Sequence, residues 1–159
     1  MIGRLFHQEE INGDGACPTY LYRWTLLRLG GWLAVYLHHF VGDDWSTDLH
    51  DHPKRFISIG LWGSYLEWSP LGESGFIAGT EYRAPWLRSF PATHIHRLTL
   101  HRNPDGSRQH CWTLVIVGRK VREWGFWHAV AQGRREHEWR PWHSYVADHE
   151  LVARVKSCP

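Results

Sequence analysis

Residues 48–68 read DLHDHPKRFISIGLWGSYLEW: two histidines one residue apart, followed at once by a β-branched and aromatic run. Alternate side chains of an extended strand share a face, so His50 and His52 project the same way. Asp48 joins them if the extended geometry reaches back that far. Two imidazoles presented in parallel supply two ligands of a metal centre. The run from Arg55 to Trp68 is rich in strand-favouring residues. A second pair with the same spacing, His94 and His96, follows downstream. If both pairs line one barrel interior, three or four ring nitrogens converge there.

The same texture continues on either side. Strand-like segments run over about 20–28, 32–40, 55–68, 76–82, 86–90, 94–101, 111–118, 121–127 and 143–147. Turn residues separate them at Gly30-Gly31, Gly42-Asp43-Asp44, Ser69-Pro70-Leu71-Gly72 and Asn103-Pro104-Asp105-Gly106. Many short strands punctuated in this way predict an all-β sandwich or barrel. Residues 1–19 read as an irregular lead-in, and HAVAQGRREHE (128–138) as a short helix or lid-like loop. The expected organisation is one all-β domain, its barrel core at 20–127 and a C-terminal extension at 128–159 packing on it.

Composition narrows the function. The chain has 159 residues, enough for one domain, with 18 Lys+Arg against 16 Asp+Glu. A net charge of +2 argues against a polybasic nucleic-acid binder and an acidic tail, and ranks base stacking on tryptophan third among the functions. There are 11 Trp and 13 His. So many indoles cannot all be buried in a domain this small, so some are expected in a cavity wall or an interface. Histidine, the commonest metal ligand, asks for a site. Cys17, Cys111 and Cys158 form no CxxC pair and no secretory signal is seen, so a reduced cytoplasmic setting is expected. No apolar run approaches the ~18–20 residues of a membrane span. No G-x-S-x-G, HExxH or Gly-rich phosphate loop occurs.

The histidine stretches resemble the two motifs of the cupin superfamily. In the first, Gly42 precedes His50-Asp51-His52 and Gly63 stands where the closing glycine belongs. The second, Pro-x-Gly-x-x-His, resembles Pro91-Ala92-Thr93-His94-Ile95-His96 and puts His96 in the place of its single histidine. More narrowly, YLHHF (36–40), LHDHP (49–53), ATHIHR (92–97), CWTLVIVG (111–118) and REWGFW (122–127) are similar to cupin-like proteins of phages and bacteria. The resemblance covers about residues 20–127. It implies a single-domain RmlC-like jelly-roll β-barrel holding a divalent metal ion (Fe, Zn, Ni or Mn) on His50, His52 and His96. It also implies a small-molecule substrate, with dioxygenase-type chemistry favoured.

One position departs from the motif. The first-motif glutamate belongs at 56 or 57, which are Phe56 and Ile57. Three outcomes stay open: a three-histidine site accessible to water and ligand, a site completed by Asp48 or His94, or no tight metal site. Arg55, Trp62, Tyr65, Arg83, Arg88 and Trp112 are the candidate pocket residues, the arginines suiting carboxylate or phosphate. Arg97 is expected on the strand face opposite His96. The rival reading is a non-catalytic cupin that has lost its metal-site glutamate, either a ligand binder or a phage accessory or interaction protein. A homodimer fits either.

Overall fold

Alternation of buried and half-buried positions is carried furthest in two segments, 33–40 and 111–115, and these pair at the centre of the structure. The computed structural model describes residues 6–12, 17–72, 76–129 and 137–156. Among the described residues twelve strands are followed by two short helices. The strands are β1 (His7–Ile11), β2 (Leu21–Leu29), β3 (Leu33–Phe40), β4 (Leu49–His50), β5 (Lys54–Trp62) and β6 (Ser64–Pro70). After them come β7 (Ile77–Arg83), β8 (Trp86–Phe90), β9 (Arg97–Thr99), β10 (Cys111–Lys120), β11 (Gly125–Ala129) and β12 (His137–Pro141). The helices are α1 (Trp142–Ala147) and α2 (His149–Val155).

One sheet has the order β1-β2-β3-β10-β5-β8, and two smaller sheets have the orders β12-β11-β4 and β7-β6-β9. The smaller sheets are joined by an isolated antiparallel bridge between His50 and His96. Its two backbone hydrogen bonds are His50 N–H to His96 O at 2.8 Å and His96 N–H to His50 O at 3.0 Å. Together they make the second wall of the barrel. Inward positions alternate as the pleat requires: Ala34, Tyr36, His38 and Phe40 on β3, and Cys111, Thr113 and Val115 on β10, are buried. One core cluster, with Leu21, Phe40, Tyr65, Leu98, Leu100 and Cys111, packs between the walls. A second joins Trp45 and Phe126 to Tyr145, Leu151, Val152 and Val155, so the helices close one side of the barrel.

The all-β expectation holds, with local differences. Part of the lead-in is not irregular: β1 pairs along β2, with Ile11 opposite Leu21. The run 55–68 is two strands, because Gly63 turns the chain at φ 82° where a Cβ would lie 2.2 Å from the His110 carbonyl oxygen. Segment 143–147 is helix instead of strand, and only Tyr145 of α1 is buried. The following Asp148 caps α2 by accepting the Leu151 N–H at 2.9 Å. Of the helix or lid expected at 128–138, the described ends belong to β11 and β12, and 130–136 lie outside the described residues. Cys111 is a free, buried thiol whose pKa burial pushes up to about 12, whereas Cys17 is disulfide-bonded, contrary to the expectation of reduced thiols. Among the described residues no helix is long and apolar enough to cross a membrane.

Asp48 fastens the helices to the barrel. Its Oδ2 accepts from the Tyr145 hydroxyl at 2.7 Å and lies 2.7 Å from His128 Nδ1, and the same hydroxyl is 2.7 Å from Ser46 Oγ. The Tyr145 ring stacks on Phe126 at 4.0 Å between centroids, so Tyr145→Phe removes the hydroxyl and keeps the packing. That variant is expected to lose about 1.5–3 kcal/mol in urea unfolding with an unchanged m value, as for hydrogen bonds to a charged group. Wild-type stability in the variant would show that Asp48 carries none of the attachment.

Candidate metal centre

His50 ends β4, His52 lies between β4 and β5, and His96 immediately precedes β9. The backbone bridge between His50 and His96 brings their rings to 5.0 Å between centroids, with His52 at 5.2 Å from His50 and 4.8 Å from His96. One ring nitrogen from each lies within 4.8 Å of the others, a group that can hold a metal ion. His52 Nε2 and His96 Nε2 are 2.9 Å apart. Burial pushes the pKa of all three rings down, and each is lowered further by its histidine neighbours, with His50 and His52 displaced furthest. They are therefore neutral near pH 7. A neutral imidazole keeps one nitrogen lone pair, the form a metal needs.

Glu67 decides which nitrogen of His96 carries that lone pair. Its Oε2 lies 3.3 Å from His96 Nδ1, so Nδ1 holds the proton and Nε2 faces His52 unprotonated. Arg88 donates to both Glu67 oxygens, at 2.8 and 2.9 Å, and His94 Nε2 stands 3.2 Å from Oε1. Burial alone would raise the Glu67 carboxyl, but the hydrogen bonds from His94, His96 and Arg88 hold it well below the usual carboxylate range. Arg88 is itself held over the rings of Tyr82 at 3.5 Å and Phe90 at 4.4 Å. Glu67, His94 and His96 also form a group able to hold a cation. Both Glu67 oxygens are already taken by these donors, however, so His50, His52 and His96 are the set with lone pairs to spare.

The sequence reading missed Glu67 because the motif spacing places its carboxylate at 56 or 57. Phe56 instead points inward, stacked on Phe90 at 4.6 Å and edge-on to His52 at 4.7 Å, while Ile57 faces outward. A signal did exist. Tyr65 and Glu67 share the buried face of β6, and a carboxylate on the buried face of a strand needs a reason to be there.

The other candidates fall in different places. Asp48 and His94 do not join the three histidines, since Asp48 holds Tyr145 and His128 and His94 holds Glu67. Tyr65 lines the barrel cavity, about 460 Å³ in volume, together with the three histidines. Arg88 lies behind the wall on Glu67. Arg55 does not enter the cavity: it is exposed between the inward-facing Lys54 and Phe56. Trp62 and Arg83 are exposed and border a shallow outer cleft with His110 and Arg108. Trp112 alternates outward from Cys111 and Thr113 and stacks on His39 at 4.0 Å. Strand parity places Arg55, Arg83 and Trp112 outside the cavity, and the register shift at Leu61 turns Trp62 outward with Trp112. Arg97 lies over the Trp68 ring, away from the centre. Asp44, not among the candidates, sits in the cavity wall 3.8 Å from His50 Nδ1, its pKa pushed up to about 7 by burial.

Arg88→Met would leave the Glu67 carboxylate buried without its bidentate partner. The expected loss is about 3–5 kcal/mol in chemical denaturation. A loss below about 1 kcal/mol would mean that His94 and His96 alone hold the carboxylate.

No family model matches the chain and no curated protein does. Solved structures do resemble it. Streptomyces Pac13 with uridine, described as a nucleoside dehydratase, superposes with a TM-score of 0.52 at 8% identity, covering 81% of this chain and 92% of that one. An RmlC-like cupin from Shewanella frigidimarina gives 0.48 at 15% identity over 76% of this chain and 89% of that one. KdgF from Halomonas sp. gives 0.48 at 9% identity over 72% and 89%. At such identities the likeness is one of fold alone: with its two-walled antiparallel topology the chain is an all-β jelly-roll barrel like that of Pac13.

Proposed function

We propose that the barrel binds a divalent metal ion and acts on a small molecule held in its cavity. The observation that carries this reading is the convergence of three neutral imidazoles, His96 buried and His50 and His52 half-buried, on one cavity wall, with the His96 tautomer set by Glu67. His50, His52 and His96 would hold the ion (Fe, Zn, Ni or Mn), which when bound supplies Lewis-acid or redox chemistry. Glu67 keeps the proton at His96 Nδ1. Phe56, Phe90 and Phe126 line the cavity around the rings and exclude water. Dioxygenase-type chemistry is the reaction class we favour, and oxygen uptake is the measurement that reads it.

Elemental analysis is expected to find about one metal ion per chain, lost in His52→Ala and His96→Ala. Glu67→Gln should weaken metal affinity about 10–100-fold, because the imidazole loses its orienting carboxylate. Unchanged metal content in His52→Ala would remove the reading.

The second reading is a cavity that binds without catalysis. It is favoured by Phe56 in the place of the motif glutamate, which leaves no free carboxylate on the three-histidine set. Metal-loaded protein that retains a ligand but neither consumes oxygen nor converts small organic acids would select it.

The same proposal includes a homodimer. On the outer face of the six-stranded sheet, Ile57, Leu61, Trp62 and Leu87 are exposed together on neighbouring strands, an apolar surface that a second copy would cover. Light scattering at micromolar concentration is expected to give twice the chain mass, reverting to monomer in Leu87→Lys. A wild-type monomer removes the dimer.

A further inference from the structure

The six-stranded sheet brings positive charge into the same cavity as the histidines. Arg23 from β2 and Lys54 from β5 both line it, and Lys54 follows His52 by two residues on the same inward face. Arg23 lies over the Tyr36 ring at 5.0 Å, and Arg28 reaches the Tyr36 hydroxyl at 3.1 Å. Like charges gathered on one wall destabilise the protein alone, unless an anion sits between them.

Among the described residues no carboxylate is placed between these cations inside the cavity. Among the described residues Lys54 makes no hydrogen bond or ion pair. Arg23 gives its Nε–H to His38 Nε2 at 3.0 Å, and Glu9 approaches one of its terminal nitrogens only to 3.7 Å. The two carboxylates that line the cavity are placed elsewhere. Asp51 is held by the Gly125 N–H, Trp139 and Arg122, and Asp44 accepts the Leu98 N–H at 2.7 Å. A third observation points to a ligand. The Thr113 hydroxyl, on the cavity wall and 1% exposed, has no hydrogen-bond partner. Thr113 stands opposite His38 on β3, which in turn stands opposite Arg23 on β2, so the three form one inward-facing row across the sheet. A buried hydroxyl left unpaired costs stability that a ligand oxygen would restore.

We propose that the cavity takes an anionic small molecule, whose carboxylate or phosphate group is held by Arg23 and Lys54, with the Thr113 hydroxyl as a neutral partner. This rests on the reading of the cavity as a small-molecule site and names the substrate class of that site. The metal is a separate matter.

The test is isothermal titration at low ionic strength with succinate, uncharged succinamide and inorganic phosphate. Wild type, Lys54→Met, Lys54→Arg, Arg23→Gln and the metal-stripping His52→Ala are compared, each checked for native thermal unfolding. Wild type is expected to bind succinate or phosphate and to ignore succinamide. Binding through succinate alone identifies a carboxylate site, and through phosphate alone a phosphate site. Lys54→Met and Arg23→Gln should each weaken it about tenfold or more, and Lys54→Arg should keep it. Retention in His52→Ala is expected, since the anion does not depend on the metal. Equal binding by wild type and Lys54→Met, equal binding of succinate and succinamide, or no binding of any probe overturns the proposal. Binding lost in His52→Ala but kept in Lys54→Met also overturns it, by placing the anion on the metal, and leaves the metal reading standing. Lys54-dependent binding by a protein that takes up no metal overturns the metal reading alone.

Discussion

The paired backbone hydrogen bonds between His50 and His96 serve two ends, and most of the barrel's second wall depends on them. They splice two three-stranded sheets that share no other strand pairing, and so make a wall that can face the six-stranded sheet. They also bring two imidazoles from distant parts of the chain to one point, with their orientation fixed by the backbone. A centre built on main-chain pairing needs little from side-chain rotamers, which suits a site whose rings must stay close together. Arg88, Glu67 and His94 then support His96 from behind, with the charge matched inside the group before the cavity is reached.

The arrangement separates charges by location. Glu67 and Arg88 neutralise each other behind the wall, the three histidines at its surface are neutral, and the cations Lys54 and Arg23 stand on the other sheet, Arg23 with Glu9 3.7 Å away. Burying a charge without a partner is expensive, so a protein tolerates it only where something else completes the pair. Lys54, half-buried, has no such partner among the described residues, in contrast to Arg88, whose guanidinium has a carboxylate and two aromatic faces.

Much of the barrel was legible because strand-favouring runs broken by turn residues, and the parity of a strand, are strong constraints, although Leu33, Val35 and Leu37 on one face of β3 are as apolar as Ala34, Tyr36 and Phe40 on the buried one. The two His-x-His pairs were legible for the same reason, since spacing of two means a shared face. Parity without absolute phase was the weakness. Arg55, Trp62, Arg83 and Trp112 lie on strands near the motifs, but nothing local says which face is inside. Glu67 was missed because it approaches His96 through sheet pairing, opposite Leu98, and not through motif spacing. The tryptophan surplus also has its answer in three dimensions. Trp45 and Trp124 line the cavity, while Trp24 and Trp112 stack on the outer sheet face and Trp142 stacks on Trp124. Segment 143–147 was misread because aromatic and β-branched residues suit a strand, and its burial under Phe126 and Trp45 is a tertiary effect that propensity does not contain.

The Asp48 attachment has a mechanical consequence. Asp48 and His50 are separated by a single residue on a very short strand, one tied to α1 through Tyr145 and the other spliced to β9. So short a segment has little slack, and any shift of α1 along the barrel is transmitted to the His50 ring. The C-terminal helices therefore brace the short segment that carries His50. Truncating the chain before residue 142 would uncover the Trp45 and Phe126 cluster and take the Tyr145 hydroxyl away from Asp48, two residues from His50.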